Sequence, residues 1–73
     1  MRITDIEPTA QRIAEAAIQR GHSNIDPASV SAQIGEPEHT AVFSRVMIAV
    51  CDALETAGYK LFYRRGVLHI EKA

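Results

Sequence analysis

The sequence predicts an α+β fold in which three helices precede a C-terminal β-hairpin, within a single domain spanning residues 1–73. Apolar residues recur at helical spacing as far as Gly58 and then alternate with a period of two. A chain of 73 residues is long enough for one domain and too short for two. Its hydrophobic share of 47% is ordinary for a globular protein and argues against disorder.

Local start and stop signals delimit the first two helices. The first is predicted to begin between Thr4 and Thr9. Thr4-Asp5-Ile6-Glu7 has the spacing of a capping box, but a start at Pro8 or directly after Thr9 would avoid the loss of an intrahelical hydrogen bond at the proline. Its apolar stripe consists of Ala10, Ile13, Ala14, Ala17 and Ile18. The second helix is predicted over Pro27–Ile34, because Asp26 is a good N-cap, proline suits the first turn and Gly35 is a helix stop.

The stretch from Glu36 to Gly58 is predicted to form the central helix of the fold, with Pro37 in its first turn. Its apolar positions cover more than half of the helix circumference, which is wider than a surface helix needs. They are Val42, Phe43, Val46, Met47, Val50, Ala53, Leu54 and Ala57. Cys51 lies at the edge of this arc, and Ile48 is isolated on the polar side.

Two strands, Tyr59–Arg64 and Val67–Glu71, are predicted around the two-residue turn Arg65-Gly66. Pairing Arg64 with Val67 sets the whole register. One face then carries Tyr59, Leu61, Tyr63, Leu68 and Ile70, and the other carries Lys60, Phe62, Arg64, Val67, His69 and Glu71. The first of these faces is apolar and is expected to cover the helices.

This order of elements resembles the winged helix-turn-helix superfamily over nearly the whole chain. Ser23–Ile25 would correspond to the short first strand of that family, and the hairpin to its wing. Pro27–Ile34 and Pro37–Ala57 would correspond to its second and third helices. The resemblance lies in element order and turn placement, so it speaks more directly to fold than to function.

The resemblance implies a DNA-binding protein with a regulatory, transcriptional role and double-stranded DNA as its partner. The third helix would enter the major groove, where Thr40, Ser44 and Arg45 would face phosphates or base edges. The wing would contact the backbone through Arg64 and Arg65.

The net charge of −1 hides an uneven distribution that bears on this expectation. Residues 36–58 contain four acidic residues and one arginine, whereas residues 59–73 contain four basic residues and one glutamate. Duplex binding requires several phosphates to be neutralised at once. The wing is therefore expected to contribute more of the binding than the helix, and a dimer would double the basic surface.

An alternative interpretation is a protein-interaction or homodimerisation module without DNA binding. Ile48 on the polar side of the long helix, and Phe62 beside Val67 and His69 on the hairpin, could form an apolar interface. Single exposed apolar residues are also common on monomeric proteins, so this pattern alone does not decide.

Neither a cofactor nor a metal is expected, and no enzymatic activity. His22, His39 and His69 lack the spacing of a metal site, and Cys51 at the edge of an apolar arc is typical of a small core residue. A single cysteine excludes an internal disulfide. With no signal peptide and no apolar run of membrane-spanning length, a cytoplasmic location is expected.

Overall fold

The structure is a computed structural model that describes residues 3–21 and 23–72, so that His22 lies outside the described residues. A 3₁₀ turn at Ile3–Asp5 leads into α1 (Ile6–Gln19), β1 (Asn24–Ile25), α2 (Pro27–Ile34), α3 (Ala41–Thr56), β2 (Tyr59–Arg64) and β3 (Val67–Lys72). The described chain is thus an α+β fold of three helices and a three-stranded antiparallel sheet, as the sequence predicts at that level.

Helix α1 begins at Ile6, within the predicted range of Thr4 to Thr9. Pro8 occupies its third helical position. The N–H groups of the first turn have no intrahelical acceptor, so a proline there costs no hydrogen bond. The preference for a start at Pro8 or after Thr9 was therefore wrong, because it counted the proline against an earlier start.

Helix α3 begins at Ala41, later than the predicted start at Glu36 or Pro37. Thr40 is its N-cap: the hydroxyl accepts a hydrogen bond from the Phe43 N–H at 3.3 Å and donates one to the Pro37 carbonyl at 2.8 Å. These bonds make residues 37–40 a turn rather than a first helical turn. The proline signal at Pro37 was therefore misleading.

Helix α2 has the bounds predicted for it. The Asp26 carboxylate accepts a hydrogen bond from the Ala28 N–H at 3.0 Å, and Gly35 ends the helix in a left-handed conformation with φ of +69°. Val30 is its one buried residue. This short helix is consequently attached to the domain through a single fully buried side chain.

The sheet has the strand order β1-β3-β2, and the predicted hairpin register is confirmed, with Arg64 opposite Val67. Arg65 and Gly66 have φ of +54° and +77°, the signs that a type I′ turn requires. On the other side of β3, Asn24 pairs with His69. The Ile70 N–H extends this pairing by donating to the Ser23 carbonyl at 2.8 Å.

The core lies between α1, α3 and the inner face of the sheet. The buried apolar residues are Ile6, Ala10, Ala14, Ala17, Ile25, Val30, Phe43, Val46, Met47, Val50, Leu54, Leu68 and Ile70. Helix α3 supplies more of them than any other element, which supports its predicted central place. None of the described helices is both long enough and apolar enough to cross a membrane.

Candidate nucleic-acid interface

The hairpin tip presents two consecutive arginines to solvent. Arg64 is the last residue of β2 and Arg65 is the first residue of the turn, and both are exposed. The guanidinium carbon of Arg64 lies 6.0 Å from the centroid of the Phe62 ring, at the outer limit of a cation–π contact. Lys60 and Lys72 are also exposed, but they lie at the end of the hairpin away from the turn.

The predicted residues of α3 take different positions relative to solvent. Ser44 and Arg45 are exposed in the first half of the helix. Thr40 is half-buried, and its hydroxyl is engaged in the N-cap described above. Thr40 therefore orients the start of α3, while Ser44 and Arg45 are free to meet a ligand.

Acidic residues occupy the second half of the same outward surface. Asp52 and Glu55 are both exposed, and Asp52 follows Arg45 by seven residues, or about two helical turns. Residues seven apart lie close to one line along a helix, about 10 Å from each other. The outward face of α3 is therefore electrostatically divided, with its cation near the N-terminus and its carboxylates near the C-terminus.

A shallow depression between α3 and β2 contains the two large apolar side chains with the highest exposed fractions among the described residues. Ile48 is 62% exposed and Tyr63 is 59% exposed. Its other lining residues include Phe43, Ser44, Met47, Cys51 and Asp52. The hairpin register places Tyr63 on the inner face as predicted, but β2 is the edge strand and Tyr63 lies one residue before its end. The sequence did not predict this exposure, because the strand register shows which face of the sheet a residue lies on but not how deeply it is buried.

Two side chains of this depression, Cys51 and Tyr63, have raised pKa values. Burial raises the pKa of the Cys51 thiol, the Glu55 carboxylate raises it further, and an interaction with Tyr63 lowers it in part. Burial also raises the pKa of the Tyr63 hydroxyl, as does Cys51. A thiol whose pKa is raised is mostly protonated at neutral pH and is a poor nucleophile.

Phe62 and His69 form a second surface, on the outer face of the sheet. Their rings are stacked, with centroids 5.2 Å apart and planes 11° from parallel. Successive strand residues point to opposite faces, so Phe62 faces away from the depression that Tyr63 and Ile48 line. The four residues predicted as one protein interface thus divide between two surfaces: Ile48 on one, and Phe62, Val67 and His69 on the other.

Comparisons of the chain with protein-family models, curated protein sequences and solved structures found no significant match. Within the described residues, no group of three or more His, Cys, Asp or Glu side chains could hold a metal ion. Function is therefore inferred from the surfaces of the molecule itself.

Proposed function

We propose that the protein is a winged-helix DNA-binding protein with a regulatory role, in which the hairpin is the wing and α3 is the recognition helix. The element order helix, strand, helix, helix, hairpin supports this, together with the sheet order β1-β3-β2. The connection between α2 and α3 contains Gly35 and spans residues 35–40, which is longer than the turn of three or four residues in a minimal helix-turn-helix unit. In this arrangement the wing and α3 both address double-stranded DNA.

The hairpin tip is the observation that carries the proposal. The two-residue turn holds Arg65 at φ of +54°, where a residue other than Gly, Asn or Asp is uncommon. Arg64 precedes it at the strand end, so two guanidinium groups stand at the end of the sheet without a carboxylate between them. Arginine binds phosphate through two parallel N–H donors, which suits a wing lying along a DNA backbone.

Helix α3 would enter the groove by its N-terminal half. Ser44 and Arg45 lie in that half, whereas Asp52 lies about 10 Å further along the axis. A helix inserted end-on keeps Asp52 and Glu55 away from the phosphates, although the exposed Glu38 before its N-terminus would approach them. Recognition helices commonly read bases with their N-terminal residues. The division of charge along α3 is compatible with such an approach and opposes a side-on one.

Replacing Arg64 and Arg65 together by Ala tests the proposal. Binding of random-sequence duplex DNA should weaken at every salt concentration, because two phosphate contacts are lost. The slope of log affinity against log salt should become shallower by about 2. Fluorescence anisotropy over a salt series measures both quantities.

The matched control is the double replacement of Arg12 and Arg20 by Ala. Both arginines are exposed on or at the end of α1, and their removal changes the net charge by the same amount. This variant should keep the wild-type slope. Equal weakening by the two double variants would show a general effect of charge, and an unaltered slope in the wing variant would refute the wing contact.

A homodimer through the outward face of α3 is a second candidate, favoured by the exposure of Ile48. Ile48 joins two shallow depressions, one lined by Tyr63 and Met47 and the other by Ile6 and Ala49. In an antiparallel pair of α3 helices centred beside Ile48, Arg45 of one copy would face Asp52 of the other. A twofold interface of this kind is self-complementary. It would also close the face of α3 that DNA requires.

A further inference from the structure

The outer face of the sheet holds an aromatic pair that neither candidate function uses. Phe62 is 41% exposed although it stacks on His69 of the neighbouring strand. A cross-strand aromatic pair contributes to hairpin stability, and this contribution explains the contact between Phe62 and His69. The exposed part of the Phe62 ring remains to be explained.

The position of β2 leaves one side of this stack open. Since β2 is the edge strand, no further strand covers Phe62 on the side away from His69. The guanidinium carbon of Arg64 lies 6.0 Å from the Phe62 centroid. A planar group that stacks on Phe62 would therefore meet both an aromatic face and a guanidinium.

The surrounding charges favour an anionic ligand. The alternation of strand residues places Lys60 and Arg64 on the same face as Phe62, and Arg65 adjoins them at the turn. The acidic residue on this face, Glu71, pairs with Lys60 at the end of the hairpin away from the turn. The part of the face nearest the turn is consequently basic.

We infer that this face, with Phe62 as its stacking surface, binds single-stranded nucleic acid. One unpaired base stacks on Phe62 in place of the Arg64 guanidinium, which moves onto the neighbouring phosphates beside Arg65. Aromatic rings flanked by cations on an open sheet are used to bind single strands, whose unstacked bases each offer a π-face. A paired base in a duplex cannot reach the ring. The inference goes beyond duplex binding and does not depend on it.

Two other occupants fit the surface less well. A second copy of the chain would set one basic hairpin against another, so that like charges would oppose each other. An acidic peptide would match the charge but would leave the stacked rings without a planar partner. Single-stranded nucleic acid satisfies both features of the surface.

The experiment measures the affinity of a fluorescein-labelled oligothymidylate of about twelve nucleotides, a length within the range that small binding domains cover. The variants are Phe62→Leu and Phe62→Ala. Leucine keeps an apolar contact with His69 and lacks a π-face, so the Leu variant guards against loss of the hairpin fold, which circular dichroism checks. Both variants should lower the affinity roughly tenfold.

Tyr63→Ala is the matched control, because it removes the adjacent exposed aromatic residue from the opposite face of β2. It should bind the oligothymidylate like the wild type. An abasic strand of equal length should bind the wild type as weakly as the oligothymidylate binds Phe62→Leu. The first complex lacks the base and the second lacks the aromatic ring, so neither can form the stacking contact.

Three results would overturn the inference. They are a folded Phe62→Leu variant with wild-type affinity, equal wild-type affinities for the abasic strand and the oligothymidylate, and a homodimer that dissociates on replacing Phe62. The test of single-strand binding can fail without the test of duplex binding failing. Loss of duplex binding in the Arg64 and Arg65 variant, with no effect of Phe62 on single strands, would refute this inference alone.

Discussion

Arg65 combines an unfavourable backbone conformation with a useful charge. Its φ of +54° is the left-handed conformation that the first position of a type I′ turn demands. Asn adopts this conformation more readily than Arg, because its short side chain tolerates it. Arginine is thus less favourable than asparagine for stability at this position, but it places an exposed guanidinium at the hairpin tip.

Arg65→Asn should raise the free energy of unfolding by about 0.5–1 kcal/mol, because Asn-Gly is a preferred type I′ pair. The same substitution should weaken duplex DNA binding through the lost charge. Urea unfolding followed by circular dichroism, together with anisotropy titration, measures the two effects.

Arg64→Asn is the comparison for that prediction. Arg64 lies in β2 without a positive φ, so asparagine gains nothing there and is disfavoured in a strand. It also removes the guanidinium from Phe62. The free energy of unfolding should fall in this variant, and a rise of equal size in both variants would exclude the turn conformation as the cause.

At the scale of elements, the start of α3 depends on one hydroxyl group. The Thr40 hydroxyl both accepts from the Phe43 N–H and donates to the Pro37 carbonyl. It therefore holds the α2–α3 turn and the first turn of α3 in a fixed relation. Ser44 and Arg45, which would meet DNA, follow directly within that turn and the next.

Thr40→Ala should lower the free energy of unfolding by about 1 kcal/mol, since the helix loses its N-cap. Thr40→Ser should retain most of the stability, because serine supplies the same hydroxyl. Chemical denaturation of the two variants measures the difference.

Ser44→Ala provides the control one turn further along α3. Ser44 is exposed and its side chain makes no hydrogen bond within the described residues, so its replacement should change the free energy of unfolding by less than about 0.5 kcal/mol. If the Thr40 and Ser44 variants lose equal stability, the cap is not what anchors the helix.

The sequence predicted an element correctly where only one start or stop signal was present at each of its ends. Asp26-Pro27 and Gly35 bound α2 as predicted, because each signal acts through its own backbone neighbours. The hairpin register followed from alternation and a two-residue turn. The predicted start of α3 was wrong because Pro37 and Thr40 are both signals for a helix start. The hydrogen bonds of the Thr40 side chain make Thr40 the N-cap. The exposure of Tyr63 depends on where the core ends, which no local pattern contains.

For the whole molecule, α3 contributes to the core with one side and exposes an apolar residue to solvent on the other. Val46, Val50 and Leu54 are fully buried on one side, while Ile48 is 62% exposed on the other. A domain this small has little further apolar surface to bury within itself. The two proposed functions both cover the outward face of α3, one with DNA and the other with a second copy, so that each excludes the other.

Charge reversal across the twofold axis tests the homodimer. Arg45→Asp and Asp52→Arg should each dissociate it, because each sets like charges opposite one another between the copies. The double variant should reassociate, since both pairs are then opposite in sign again. Sedimentation velocity over a concentration series measures the dimer fraction, and high concentrations are needed because a single helix pair is a small interface.

Arg12→Asp is the control for this series, as it reverses one exposed charge on α1, away from the outward face of α3. It should leave the dimer fraction unchanged. Restoration in the double variant supports the pairing of Arg45 with Asp52. Because the double variant also has the wild-type net charge, an unchanged dimer fraction in Arg12→Asp is needed to exclude net charge as the cause. If the wild type is a monomer throughout, or the double variant stays dissociated, the twofold pairing of Arg45 with Asp52 is wrong, and α3 is left open to DNA.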